Sequence, residues 1–222
     1  MDQSSTQPPP DVDVGAGLVV VAWVLGAIGV LLLAMRMYAR AFIIKKFGWD
    51  DWTMVLAVAL ALATNITVTL MVHYGVGRHA AYLNPGQLSN ALYMVWLTIA
   101  LSTASAAIGK ISIALLLIRL INRSRWRDTF LWTLISLLIV VNALLIIVIF
   151  VQCTPVIKLW DPTVPGACWS PTIQLDIWYF QGAFSALSDL ILALFPLPII
   201  WKLQIPLLSK AVLGFLMSLG VK

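Results

Sequence analysis

The chain has 222 residues, of which 61% are hydrophobic and only 10% are charged, whereas a soluble domain carries about 25% charged residues. Fourteen Lys and Arg residues and nine acidic residues, all of them Asp, give a net charge of +5, and so few charges exclude a soluble globule of this size. The basic residues stand in short clusters between apolar runs and form no stripe with interleaved aromatic residues, which excludes nucleic-acid binding.

The first 14 residues are predicted to form a disordered tail outside the membrane. They include three consecutive Pro and three Asp but no basic residue, so they lack the n-region of a secretory signal peptide. The first apolar run is therefore predicted to be retained, and residues 15–222 to form one transmembrane domain.

Five apolar runs are long enough to cross the bilayer core, which takes about 20 helical residues. They lack the polar–apolar alternation of strands and are too long for them. A sixth run, Ala211–Val221, covers about half of the bilayer core, so we expect the domain to be incomplete at its C-terminus. The fold class is thus all-α, a polytopic transmembrane helix bundle with five full spans and part of a sixth. The five full spans are predicted at Gly15–Met35, Trp52–Val72, Leu88–Ile118, Phe130–Val151 and Ile177–Ile200.

Basic residues are concentrated in alternate predicted loops, with ten in loops one, three and five against two in loops two and four. Because cytoplasmic loops are rich in Lys and Arg, the N-terminus is predicted to lie outside, in a multi-pass protein of the plasma membrane. Loop three is the predicted contact for a cytoplasmic effector. Its basic residues are Arg119, Arg123, Arg125 and Arg127.

The chain has two cysteines, Cys153 and Cys168, and both fall in predicted outer loop four. Two thiols on the oxidising side, 15 positions apart, are predicted to form a disulfide that contributes about 3 kcal/mol through loop entropy. Two free interfacial thiols remain the alternative. Two Cys without nearby His or Asp pairs do not fill the four positions of a zinc site.

Two charged residues, Lys110 and Asp189, lie inside predicted spans, where a lone charge costs at least about 2.5–3.5 kcal/mol. Each lies nine residues from the inner end of its helix, Lys110 before Arg119 and Asp189 before Pro198. This spacing puts both at a depth of about 13 Å, so we predict an ion pair between the third and fifth helices. The alternative is that Lys110 extends its side chain towards the inner headgroups.

Four further side chains at the predicted outer surface are candidate ligand or gating contacts, although the two histidines also fit a simple helix cap and turn. They are His73, Arg78, His79 and Trp160. The sequence contains no Gly-x-Ser-x-Gly, no His-Glu-x-x-His and no Glu that could act as a base. We therefore expect no enzyme activity, no cofactor and no metal site.

Several short motifs follow one another between about residues 40 and 220. They are Phe47-Gly48-Trp49-Asp50-Asp51-Trp52, Tyr74-Gly75-Val76-Gly77-Arg78-His79, Gly109-Lys110-Ile111-Ser112, Cys153-Thr154-Pro155 with Trp160, Gly166 and Cys168, and Asp189 before Pro196-Leu197-Pro198. In order and spacing this set resembles the fungal rhodopsin-domain family of seven-helix integral membrane proteins. The resemblance implies a receptor-type seven-helix bundle. It does not imply retinal, because Lys110 lies on the third helix and the retinal-binding Lys of such proteins lies on the seventh.

The function that this resemblance implies is receptor-like sensing of an extracellular cue, in the manner of a G-protein-coupled receptor. Arg119-Leu120-Ile121 departs from the Asp/Glu-Arg-Tyr triplet of the commonest receptor class. The expected partners are the lipid bilayer, a small-molecule or surface ligand, and a cytoplasmic effector. The alternatives are a transporter or channel-like protein that uses Lys110 and Asp189 on a polar path, and a membrane scaffold. The predicted helix break at Pro196 and Pro198 lies near the cytoplasmic end, whereas transporters break helices at mid-membrane.

Overall fold

The computed structural model describes residues 14–45, 48–77, 83–120 and 125–196. The sequence-based predictions for Arg78, His79, Arg123 and the sixth apolar run fall outside these ranges, as do those for residues 1–13 of the predicted tail.

Five long α-helices, each long and apolar enough to cross a membrane, dominate the described part of the chain. This confirms the predicted all-α, polytopic helix bundle. In chain order the elements are α1 (Gly15–Tyr38), a π-helical turn (Ala39–Ile44), α2 (Trp49–His73), α3 (Pro85–Leu120), α4 (Arg125–Val151), β1 (Cys153–Thr154), a 3₁₀ turn (Val156–Leu159), β2 (Ala167–Cys168) and α5 (Pro171–Leu194).

Most helices extend beyond the apolar runs that predict them. α2 begins at Trp49 and α5 at Pro171, because polar and aromatic residues continue a helix into the headgroup layer, and Pro is favoured in the first helical turn. The fifth apolar run was predicted to reach Ile200 with a helix break at Pro196 and Pro198, and residues 197–200 lie outside the described ranges. α5 ends at Leu194, two residues before Pro196, whose ring and missing N–H oppose continuation of a helix.

Three arginines predicted in loops belong to helices instead. Arg36 lies in the last turn of α1, Arg40 in the π-helical turn that follows it, and Arg119 in the last turn of α3. The hydropathy pattern places them in loops because it treats every charge as exposed, whereas these guanidiniums pair with carboxylates at the ends of the helices.

The five helices run in alternating directions and so define two ends of the bundle. The disulfide end holds the start of α1, the turn after α2 and the loop between α4 and α5. At this end the Val14 amide donates a hydrogen bond to the Gly77 carbonyl oxygen (3.2 Å), so Val14, predicted to be in the tail, belongs to the folded bundle. Gly75 and Gly77 form the turn with φ values of 102° and 110°, which favour glycine. The arginine end holds Arg36, Arg40 and Arg119.

α3 is the central helix of the described bundle, because it packs against α2, α4 and α5. Nearer its arginine end, Ala114 and Leu117 are fully buried against Leu131 and Leu138 of α4 and Leu192 of α5. α1 packs on α2 and leaves most of its apolar surface uncovered, as expected of a helix that faces lipid. α3 therefore contacts residues at both ends of the bundle and in its interior.

Candidate functional site

The most connected polar side chain at the arginine end is Asp50, in the first turn of α2. Its Oδ2 accepts hydrogen bonds from Arg36 Nη2 and Arg40 Nη2, both at 2.9 Å, and its Oδ1 accepts one from Arg119 Nη1 at 3.1 Å. Asp50 is only 3% exposed. One carboxylate therefore joins the ends of α1, α2 and α3.

Asp51 completes this group from the next position of α2 and is fully buried. Its Oδ1 lies 3.4 Å from Arg36 Nε and 3.6 Å from Arg40 Nε. Its Oδ2 accepts a hydrogen bond from the Gly48 amide at 3.0 Å, which caps the helix N-terminus. We call Arg36, Arg40, Asp50, Asp51 and Arg119 the Asp50 cluster.

Gly48 and Ser112 fix the position of the Asp50 cluster on α3. A β-carbon at Gly48 would overlap Arg119 Nη1 and Asp50 Oδ1, so the glycine provides the space in which this ion pair forms. The fully buried Ser112 hydroxyl donates a hydrogen bond to the Asp50 carbonyl oxygen at 2.7 Å. The start of α2 is thus bound to α3 through both its backbone and its side chain.

The predicted effector contacts fall into different environments. Arg119 is not available as a simple surface charge, because its guanidinium is paired with Asp50. Arg125 is exposed at the start of α4, and Arg127 is half-buried and has a partner of its own.

Lys110 and Asp189 meet in the interior of the bundle, with Lys110 Nζ 3.2 Å from Asp189 Oδ1. Lys110 Nζ also donates hydrogen bonds to Ser185 O (2.9 Å), Ser185 Oγ (2.8 Å) and Ser188 Oγ (2.9 Å). The Lys110 residue is 9% exposed. The ammonium group has three protons and four oxygen acceptors, so α3 and α5 are joined by a saturated polar contact.

A second polar contact lies between α4 and α5, nearer the disulfide end than Lys110. Gln181 Nε2 donates a weak hydrogen bond to Asn142 Oδ1 (3.4 Å), while Asn142 Nδ2 donates to Leu138 O at 2.8 Å. Within the described ranges, Gln181 Oε1 is buried without a hydrogen-bond partner. Polar groups thus follow the interior side of α5 over more than one helical turn.

At the disulfide end, Cys153 and Cys168 form a disulfide between two paired two-residue strands. The Lys158 ammonium donates a hydrogen bond to the Gly166 carbonyl oxygen across the loop. The Trp169 amide donates one to the Gln152 carbonyl oxygen at 2.9 Å. These bonds fold residues 152–170 into a compact loop, which we call the disulfide loop.

The tip of the disulfide loop contains an acidic turn. The Thr163 hydroxyl and backbone N–H donate hydrogen bonds to Asp161 Oδ1 at 2.6 and 3.0 Å, and both lower the pKa of the Asp161 carboxyl. A lowered pKa means that this turn is most stable when Asp161 is ionised. Its contribution is lost as the pH falls through the folded-state pKa.

Aromatic side chains bind the disulfide loop to the helices. Trp96 Nε1 on α3 donates a hydrogen bond to the Leu159 carbonyl oxygen at 3.1 Å. Tyr93 on α3 packs edge-on against Trp160, with ring centroids 5.5 Å apart, and Trp96 stacks on Trp178 of α5 at 6.4 Å. The loop is therefore fixed to α3 directly and to α5 through Trp96.

Of the candidate ligand contacts at the disulfide end, His73 and Trp160 lie in the described part of the chain, where they have separate ring partners. His73 is an exposed residue at the last position of α2 and packs edgewise on Tyr74, with centroids 5.9 Å apart. Trp160 is half-buried against Tyr93. In the described part of the chain, Trp160 is thus the one candidate in a tertiary contact with α3.

The Asp50 cluster was not predicted from the sequence, where Asp50 and Asp51 stood only as part of the motif that begins at Phe47. Two signals were present. Arg36 and Arg40 are four residues apart and share one helix face, and two adjacent carboxylates immediately precede an apolar span. The pairing itself depends on the packing of α1 against α2, which hydropathy does not predict.

Comparison with known proteins identifies the family. A family model described as "Fungal rhodopsin domain" matches residues 35–222. Over 199 residues the chain is 26% identical to "Polyenoic acids biosynthesis gene cluster protein Ba17b" of Metarhizium anisopliae, a match that covers 83% of this chain and 51% of the relative. Over 183 residues it is 26% identical to a "SAT4 family membrane protein" of Emericella nidulans, covering 81% of this chain and 44% of that protein.

The chain spans about half the length of these curated relatives. No solved structure matches it. The family match covers most of the chain, including the residues of the Asp50 cluster, the Lys110–Asp189 pair and the disulfide. Together with the five apolar helices, it shows a multi-pass membrane protein that belongs to the fungal rhodopsin domain family.

Proposed function

We propose that this protein is a receptor-like sensor in which α3 carries a structural change from the disulfide end to the Asp50 cluster. The observation that carries the proposal is that α3 is bound at three levels. Trp96 holds the disulfide loop, Lys110 holds α5, and Arg119 with Ser112 holds the start of α2. A displacement of α3 at one level therefore changes contacts at the other two.

The Asp50 cluster has the properties of a reversible contact. Arg36 and Arg119 keep 20% and 35% of their side chains exposed, so solvent screening limits the net stability of their ion pairs. Water and lipid headgroups are the expected alternative partners of guanidiniums that remain partly exposed at this end of the bundle. A cue that shifts α3 by a fraction of a helical turn can then replace one set of ion pairs in the Asp50 cluster with another. The cluster would thus have two alternative states, as an allosteric switch requires.

The transporter or channel-like alternative receives less support. The Lys110 ammonium is enclosed by Asp189, Ser185 and Ser188, and its protons are all accepted by protein oxygens. An ammonium group with all its protons bonded to protein is better suited to a stable contact between α3 and α5 than to a transient binding site along a transport pathway. The membrane scaffold is the other alternative, and it differs in requiring no communication between the two ends. Neither the sensor hypothesis nor the scaffold hypothesis requires enzyme activity.

The proposal includes an orientation, with the disulfide end outside the cell and the arginine end in the cytoplasm. Ten basic residues in alternate connections against two support it, since the positive-inside rule counts Lys and Arg whether or not carboxylates pair with them. We expect that Pro162→Cys reacts with a membrane-impermeant maleimide on intact cells, while Arg125→Cys reacts only after permeabilisation. Asn122, in the sequon Asn122-Arg123-Ser124, stays unglycosylated. The opposite labelling pattern would show that the bundle is inverted.

Communication along α3 is tested by releasing the disulfide loop. In the double variant Cys153→Ser, Cys168→Ser the loop loses its covalent closure and its hold on α3 weakens. We expect faster amide hydrogen exchange in residues 152–170 and also at the arginine end, in residues 48–53. The measurement is hydrogen–deuterium exchange of the protein reconstituted in nanodiscs.

The matched control for this experiment is Asp161→Asn, which weakens the Thr163 turn but leaves the disulfide and the Trp96 hydrogen bond in place. Its effect should stay within residues 158–166. If the double variant also changes exchange only within the disulfide loop, α3 does not transmit a change. The scaffold alternative would then replace the sensor.

A further inference from the structure

The Asp50 cluster carries more positive than negative charge. Three guanidiniums face two carboxylates, and Arg36 Nη2 and Arg40 Nη2 are immediate neighbours because each lies 2.9 Å from the same oxygen, Asp50 Oδ2. Adjacent like charges at the border of a low-dielectric region repel one another. A further anion at this place is therefore electrostatically favoured.

Hydrogen-bonding capacity in the cluster is also unbalanced towards donors. All four carboxylate oxygens are occupied, three of them by arginines and Asp51 Oδ2 by the Gly48 amide. Each guanidinium has five N–H donors. Within the described residues, Arg36 uses Nε and Nη2 but not Nη1. The three guanidiniums therefore bring more N–H donors than two carboxylates, with about four lone-pair sites each, can accept.

The Asp50 cluster lies at the level of the lipid headgroups. The large aromatic side chains around it are exposed: Trp49 and Trp52 flank Asp50 and Asp51 on α2, and Trp126 lies near the start of α4. Exposed Trp residues at helix ends mark the membrane–water interface, where their amphipathic rings are favoured. Arg36 on α1 and Arg119 on α3 lie at this same level, with 20% and 35% of their side chains exposed.

The geometry points to a binding site for the phosphate headgroup of an anionic membrane lipid, formed by Arg36 and Arg119 on the two sides of Asp50. Guanidinium groups bind phosphate oxygens bidentately, and basic sites between transmembrane helices bind anionic headgroups. A phosphomonoester such as that of phosphatidic acid suits the site best, because it offers three oxygens and more than one negative charge. The lipid tails would lie along the uncovered apolar surface of α1.

A bound phosphate would stabilise the Asp50 cluster as it stands. It adds negative charge beside three guanidiniums and accepts hydrogen bonds from Arg36 Nη1, so the ends of α1, α2 and α3 are held together more firmly. Lipid composition then regulates the arginine end. This inference requires no transmission along α3, and it stands or falls independently of the proposed sensing function.

The test uses the full chain in nanodiscs of phosphatidylcholine, either alone or with a small added fraction of phosphatidic acid or phosphatidylglycerol. We expect phosphatidic acid to raise the Tm, and native mass spectrometry to show that it is retained in preference to phosphatidylglycerol. Arg36→Lys keeps the charge but removes the planar donor group. Losing one charge-assisted hydrogen bond, worth about 1.5–3 kcal/mol, should weaken retention about tenfold or more.

The control is Lys45→Gln, which removes an exposed charge near the end of the same helical segment and should leave lipid retention nearly unchanged. Arg119→Lys is the second variant, for use if Arg36→Lys does not fold. The inference is overturned if the Arg→Lys variants retain phosphatidic acid like the wild type. It is also overturned if both anionic lipids are retained equally, or if inorganic phosphate without anionic lipid raises the Tm as much.

Discussion

Lys110→Met should lower the free energy of unfolding by about 2.5–3.5 kcal/mol, because it leaves the Asp189 charge within a membrane span without its partner. Among the described residues, the polar contacts of the Asp189 side chain are confined to Lys110. The reverse change, Asp189→Leu, should cost less. In that variant Lys110 keeps its three hydrogen bonds to Ser185 and Ser188. Thermal unfolding in detergent and folded yield measure both losses.

The double variant Lys110→Met, Asp189→Leu should recover much of the stability that Lys110→Met loses. Replacing both members of a buried pair with apolar residues removes the unpaired charge, and it is often neutral. Asp176→Leu is the matched control on α5, since Asp176 is exposed near the helix start and its loss should have little effect. If the two single losses simply add in the double variant, Lys110 and Asp189 do not stabilise each other.

The second large effect is expected for Asp50→Asn, which keeps the shape of the side chain but removes its charge. Three guanidiniums then lose their shared carboxylate, and the new amide N–H₂ faces arginine donors. We expect a loss of about 2–4 kcal/mol, below the full cost of a buried unpaired charge because the arginines are partly solvated. Faster hydrogen exchange at the start of α2 should accompany it.

Asp176→Asn, an exposed change of the same type at the disulfide end, should leave the Tm within about 2 °C of the wild type. The loss caused by Asp50→Asn should shrink when Arg119→Gln is also present, because the second change removes one of the unpaired cations. An Asp50→Asn protein as stable as the wild type would show that the cluster does not hold the three helices together.

Features that are encoded locally were predictable from the sequence. Each span follows from an uninterrupted apolar run, since about 20 helical residues must match the bilayer core. Lys110 and Asp189 were recognisable as an ion pair because a charge within an apolar span needs a partner. The two residues lie at equal depth in their helices, and few other charged residues do. The two cysteines share one short loop, so their pairing required no knowledge of helix packing.

Features that depend on how the helices pack were not predictable. Hydropathy places Arg36 and Arg119 in loops, and it gives no indication that they bind the two oxygens of the same carboxylate. Likewise, Trp96 is one aromatic residue among many in α3 until the disulfide loop folds back and places the Leu159 carbonyl oxygen beside it.

Coupling between the two ends of α3 is tested most directly by a double-mutant cycle across this helix. Trp96→Phe removes the hydrogen bond to the disulfide loop, and Arg119→Gln removes the charge that binds Asp50. These positions are 23 residues apart, about 34 Å along a helix, where independent effects on the free energy of unfolding add within about 0.3–0.5 kcal/mol. We predict that the double variant in bicelles loses less than the sum of the single losses, by at least about 0.5–1 kcal/mol, because releasing either end also loosens the other. Losses that add within error would contradict this coupling.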